Sequence, residues 1–246
     1  MIRQGHEWFI AQINDCIGRC EKRHQQVFTC FLTLAQQEIV KKMVGNRLFL
    51  IFDGGYDNAE RKIAVLSQYE QEPDGYVCVL RADYDNRFGK KLSHKDLLGV
   101  LMHAGIERDQ IGDLIVQEDR LYIFCVPAMS DYICANVSMI GRHPVQFYEV
   151  DRVEETLRVE REQFTINVTA LRLDAIVAAL AHCSRAKAKM LLKQGMVKVN
   201  DVVLDENIQL CNNDFVSIRK VGRFHLIEEV NKTRKDRLVL RFEKYI

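Results

Sequence analysis

Proline and tryptophan are scarce in these 246 residues, with three prolines and one tryptophan. No run of eighteen apolar residues exists, which excludes a membrane-spanning helix. The opening residues Met1-Ile2-Arg3-Gln4-Gly5-His6-Glu7 lack the apolar centre of a signal peptide, so a cytoplasmic location is expected. Eight cysteines are present, but no two have Cys-x-x-Cys spacing, and they are scattered among apolar neighbours. Small buried hydrophobes in a reducing compartment are the expectation, with no metal and no cofactor. Cys16, Cys20 and His24 lie four apart and share one face if helical. A metal site there needs three ligands in a row from one helix, which is rare, so ordinary packing is expected.

What is present is ordinary in amount and uneven in placement. The apolar fraction of 48% suits a soluble globular chain, and the length suffices for two or three small domains. The net charge of +1 conceals an asymmetry. Residues 165–246 carry fifteen Lys and Arg against nine Asp and Glu, and the remainder carries twenty against twenty-five. A basic C-terminal third on an acidic chain points to a localised surface for a polyanion.

The reading is α+β. Apolar residues at helical spacing predict helices through Trp8, Ile10, Ile13 and Ile17 and again through Val27, Phe31, Leu34 and Ile39. Arg47 to Phe52 reads as a short strand, and a helix is predicted from Asn58 to about Ser67 after the turn Gly54-Gly55. The expected first domain, 1–73, is therefore helical with one strand. Residues 74–151 read as strand 76–81, helix 93–103, strands 113–116 and 121–126, helix 128–137 and strand 145–150. That order, βαββαβ, is ferredoxin-like, the arrangement shared by RNA-recognition motifs, although the aromatic strand signature of those motifs is missing. Residues 152–164 are charged and read as a linker, which leaves 165–246 as a third domain.

The third domain carries the most specific pattern. Leu171-Arg172-Leu173-Asp174 opens an apolar helix, and Ser184-Arg185 opens another that closes at Gly195. Ser184 is a good N-cap and Gly195 a good C′ residue. Arg185, Lys189 and Lys193, spaced by four, fall along one flank of this second helix. Val197-Lys198-Val199 follows as a strand and ends at Asn200-Asp201, a pair suited to a hairpin turn. A helix N-terminus beside several cations favours phosphate, and such contacts read RNA shape with salt-dependent affinity.

This pattern, with Asn213-Asp214-Phe215-Val216-Ser217-Ile218-Arg219 beyond it, resembles the S4 RNA-binding domain; Asn213 stands where that family usually has Gly. The resemblance places RNA contacts at Arg172, Ser184, Arg185, Lys189, Lys193, Lys198 and Asn200, and charge and placement add Arg219 and Arg223. Asp174 is expected to orient local structure, since phosphate repels a carboxylate. Phe52-Asp53-Gly54-Gly55-Tyr56-Asp57-Asn58-Ala59-Glu60-Arg61-Lys62, Leu92 to Gly99 and Ile111-Gly112-Asp113 are similar to segments of the YlmH-type proteins, bacterial S4-domain proteins of a cell-division gene cluster. That resemblance implies a ribosome-associated, non-catalytic protein contacting large-subunit rRNA and tRNA during rescue of stalled nascent chains, with no membrane and no small-molecule substrate. Arg61 and Lys62 are candidates for a secondary RNA contact, beside the plainer reading of Gly54-Gly55 as a turn alone.

Three rival readings are open. Arg172-Leu173-Asp174 also occurs in the catalytic loop of pseudouridine synthases, but here it leads into an apolar helix at S4 spacing. An S4-linked methyltransferase lacks its Gly-rich cofactor loop. A purely protein-binding role in cell division has no residue that supports it directly.

Overall fold

A computed structural model describes residues 7–70, 75–85, 87, 89–151, 153, 161–204, 206–212 and 214–245. The chain divides into two compact units, residues 1–157 and 158–246.

The first unit begins with α1 (Glu7–Arg23), which buries Phe9, Ile13, Cys16, Ile17 and Cys20 and leaves Trp8 exposed. Burial pushes the Cys16 and Cys20 thiols above their ordinary values, and His24 lies past the helix end, hydrogen-bonded to Gln68. Among the described residues no group of three His, Cys, Asp or Glu is placed to hold a metal ion. Two expected helices are corrected here. Residues 27–39 form β1 (Val27–Leu32) and then α2 (Leu34–Val44), whose start is set by a capping box of Thr33 and Gln36. The expected helix 58–67 is a loop followed by β3 (Lys62–Ser67), antiparallel to β2 (Phe49–Asp53) and to β1. The N-terminal region is thus two helices on a three-stranded sheet of order β1-β3-β2, not a helical region with one strand.

The misreading has a physical cause. Every residue of Ile63-Ala64-Val65-Leu66 is at most 1% exposed, so the two-residue alternation of a half-buried strand is absent. Ala64 and Leu66 join the core under α1 and α2. Ile63 and Val65 point to the other face.

That other face meets a second sheet. Its strands are β4 (Cys78–Asp83), β5 (Ile111–Val116), β6 (Arg120–Cys125) and β9 (Tyr148–Val150), in the order β5-β6-β4-β9, all antiparallel. With α3 (His94–His103) after β4 and α4 (Pro127–Asn136) after β6, this is the expected ferredoxin-like arrangement. Ser93 and Asp96 form the capping box of α3. The last strand is shorter than expected, because a small hairpin, β7 (Met139–Ile140) and β8 (His143–Pro144), precedes it and Val145 and Phe147 enter the core.

Leu80, Ala82, Leu121, Ile123 and Cys125 pack toward the helices. Val79, Ile115, Tyr122 and Phe124 alternate onto the opposite face and are buried as well. The Tyr56 ring packs tilted against Phe124 at 4.8 Å between centroids, and a Cβ on Gly112 would sit 2.5 Å from the Phe31 ring. The unit is therefore four layers deep: helices, sheet, sheet, helices.

Gly54-Gly55 serves this junction. A Cβ on Gly54 would collide with Ala59, and one on Gly55, at φ +83°, would lie 2.7 Å from Phe124. Arg61 serves it too. Its guanidinium donates to the carbonyls of Phe31, Arg108 and Ile111, while Asp113 accepts from the Tyr56 hydroxyl and from the Glu60 and Arg61 amides. Arg61, a candidate RNA contact in the sequence, is committed to joining the two sheets, and Lys62 opens β3 with its stem against the site of Gly54. Arg61→Ala is expected to destabilise this unit by about 1.5–2 kcal/mol through lost charge-assisted hydrogen bonds. RNA affinity of the folded protein should stay unchanged, as checked by urea unfolding beside a filter-binding titration.

The second unit begins with β10 (Arg161–Val168), so 161–164, read as linker, already belong to a strand. Most of the remaining linker lies outside the described residues, as does Asn213. Then come α5 (Leu173–Leu180), α6 (Arg185–Lys193), β11 (Val197–Val199), β12 (Val202–Val203), β13 (Phe215–Ile218), β14 (Gly222–Lys232) and β15 (Leu238–Tyr245). The six strands form one antiparallel sheet of order β10-β15-β14-β13-β11-β12. Both helices cover one face, burying Leu173, Ile176, Val177, Leu180, Ala188 and Leu192 against Val197, Val199, Val216, Ile218 and Phe224.

Candidate nucleic-acid interface

The apolar pattern of Leu173-Asp174-Ala175-Ile176-Val177 drives the start of α5 into the core, and it carries Asp174 with it. The Asp174 side chain is fully buried. A buried carboxylate needs partners. Asp174 accepts from Arg185 Nη2 at 2.8 Å and lies 3.3 Å from Arg172 Nε, while its backbone amide donates to Asn207 Oδ1 at 3.0 Å. Burial alone raises the Asp174 pKa. The Arg185 hydrogen bond, the Arg185 and Arg172 charges and Asn207 together outweigh it and hold the carboxyl below the ordinary carboxylate range. The two guanidiniums are about half exposed, 52% and 49%. Asp174 therefore fixes two cations at the surface without meeting solvent itself.

Arg185 begins α6, whose N-cap Ser184 accepts the Lys187 amide at 3.2 Å. Oγ thus positions the helix end as an acceptor and keeps its own O–H available to donate. Ala188 and Leu192 anchor the helix, which leaves Lys189 and Lys193 exposed on the outside. Neither makes an ion pair among the described residues. Gly195, at φ +65°, ends the turn that follows.

The remaining candidates divide over a second face. Val197 and Val199 are core residues, so Lys198 projects from the opposite side of β11. In register across the sheet come Ser217 and then Arg223. Arg223 lies 4.9 Å over the Phe215 ring and 3.6 Å from Asp201. Arg219 is exposed, with its amide bonded to the Met196 carbonyl just after α6. Asn200 and Asp201, at φ 50° and 65°, form the two-residue turn between β11 and β12. The Asn200 side chain donates to Asp214 Oδ1 at 2.7 Å and accepts the Phe215 amide at 2.9 Å. Its role is to clamp the hairpin to β13.

The structure thus gathers Arg172, Arg185 and Asp174 into one cluster, continues it along α6 through Lys189 and Lys193, and sets Lys198 and Arg223 on the sheet. Asn207, the third partner of Asp174, was not foreseen in the sequence. No local spacing signals a contact made across 33 residues.

Two family models match. One is described as "Putative RNA-binding domain in YlmH" and covers residues 71–154; the other is the S4 domain, over residues 171–216. The chain is 32% identical over 248 residues to the ribosome-associated protein quality control protein P2 of Bacillus subtilis, covering 98% of this chain and 96% of that protein.

The chain belongs to the YlmH family.

A solved structure, the cell division protein YlmH from Streptococcus pneumoniae, superposes with a TM-score of 0.53 at 22% identity, over 60% of this chain and 92% of that one. The likeness supports the fold. Within the YlmH frame the ferredoxin-like domain has an unexpected property: part of the sheet face that an RNA-recognition motif presents to bases is packed over, with Phe31 of β1 against Gly112 and Tyr56 against Phe124, while Tyr148 at the other end of that face is exposed. The missing aromatic signature has a structural counterpart, because Tyr122 and Phe124 are packing residues.

Proposed function

We propose that this chain is a non-catalytic RNA-binding protein that docks on structured RNA, large-subunit rRNA and tRNA, in the rescue of stalled nascent chains. The observation that carries the reading is the α6 flank. A capped helix start holds one arginine by a buried carboxylate, and two lysines follow at intervals of four with no ion pair among the described residues. The name of the Bacillus subtilis relative, a ribosome-associated quality control protein, supports the ribosome as the site of action.

The pseudouridine synthase alternative needs Asp174 as a reactive group. Full burial and two arginine partners argue against that role, because a nucleophile must reach its substrate.

The test is sedimentation of the purified protein with isolated ribosomal subunits. Pelleting with the large subunit at low salt, and release as salt rises, is the expected result. Protein that stays in the supernatant at low salt overturns the reading.

A further inference from the structure

A second basic, exposed segment of the second unit lies away from α6. Strands β14 and β15 run past the rest of the sheet. β13 pairs β14 only over Gly222–His225, whereas β14 and β15 stay paired as far as Lys232 and Leu238. The tip between them reads Thr233-Arg234-Lys235-Asp236-Arg237. It is an ordered turn. The Thr233 amide donates to the Arg237 carbonyl at 2.8 Å, the Asp236 amide to the Thr233 carbonyl at 2.9 Å, and the Arg237 amide to Thr233 Oγ1 at 3.1 Å.

Asp236 lies 3.6 Å from Lys232, which consumes the only carboxylate of the tip. Arg234, Lys235 and Arg237 are exposed and make no ion pair among the described residues. Three unneutralised cations on one rigid turn repel one another, a cost that an anionic partner relieves.

The position of the tip says which anion. Leu238 pairs with Val168, the last residue of β10, and Arg172 follows only four residues later. Four residues span at most about 14 Å, and adjacent strands lie about 4.8 Å apart, so Leu238 at the base of the tip and Arg172 lie at the same end of the unit, with backbones within about 20 Å. A single double-stranded RNA, of which small domains span about 16 base pairs, bridges that distance.

We propose that the β14–β15 hairpin tip is a second RNA contact, in which Arg234, Lys235 and Arg237 bind the sugar–phosphate backbone of the same RNA that lies along α6. The inference rests on the RNA-binding reading above. It makes the domain a two-point clamp, in which α6 and the hairpin engage phosphates at separate places on one RNA.

The experiment is a salt titration of affinity for purified large-subunit ribosomal RNA, using the full chain, its R234Q/K235Q/R237Q variant and a Lys189→Glu/Lys193→Glu variant. All three tip positions are exposed, and Thr233 and Asp236 are retained, so thermal unfolding should be unchanged. Loss of three phosphate contacts lowers the slope of log affinity against log salt by about 2 to 3. Between about 50 and 200 mM salt, the affinity loss is then roughly 16- to 64-fold smaller in the tip variant than in the parent chain. An unchanged slope in the tip variant, beside weakened binding by the α6 variant, removes the hairpin and leaves the α6 site standing. If the parent chain itself fails to bind, the hairpin contact and the RNA-binding reading fall together.

Discussion

Replacement of Asp174 by alanine is expected to lower the unfolding free energy of residues 158–246 by about 3 kcal/mol. Breaking a buried ion pair costs about 3–5 kcal/mol when the surviving charge stays buried. Here the survivors, Arg172 and Arg185, are each about half exposed and regain water, so the low end applies. In a unit of this size that corresponds to a melting temperature lower by roughly 12–24 °C. The effect depends on pH in a defined direction. The folded carboxyl titrates below its ordinary value, so its contribution is complete above the unfolded-chain pKa, about 3.9, and drains away as the pH falls through the lower folded value. Melting curves of the parent chain and the alanine variant should be widely separated at neutral pH and converge under strongly acidic conditions. Equal stability at neutral pH would show that Asp174 does not tie α5 to α6.

The same residue shows what local sequence reveals. Ser184 and Gly195 announce the limits of α6 because capping is a matter of a few neighbouring residues, and Asn200-Asp201 announces its turn for the same reason. The ferredoxin-like order was legible through its turns, from the Ser93–Asp96 capping box to Gln117-Glu118-Asp119 between β5 and β6. The two strands β1 and β3 were not. Val27, Phe31 and Leu34 fall at helical spacing although a strand ends at Leu32, and β3 is buried on both faces by layers distant in sequence. Periodicity reports one buried face, so a strand with two is silent to it. The structural duty of Arg61 was hidden for a related reason. Its three carbonyl acceptors lie 30, 47 and 50 residues away, and a free surface cation and a partly buried strut look alike in a sequence. Asn200 likewise reads as a polar tip residue until Asp214 and Phe215 close on it.

These distinctions decide which cations report on RNA. Arg185 holds Asp174 in place, so its loss mixes folding with binding; Lys189 and Lys193 carry no such duty. The double variant Lys189→Glu/Lys193→Glu is therefore the clean probe of α6. Each reversal removes an attraction and adds a repulsion, and together they are expected to cost about 3 kcal/mol, a little over a hundredfold in affinity. The salt dependence should flatten as well, because fewer counterions are released on binding. Glutamate is a good helix former and both positions face solvent, so the fold has no reason to suffer. Melting curves that match the parent chain, combined with a hundredfold loss in filter binding, would assign the effect to the surface itself. Parent-like affinity would mean that RNA does not lie along α6, since two reversed charges at a phosphate-binding face cannot pass unnoticed.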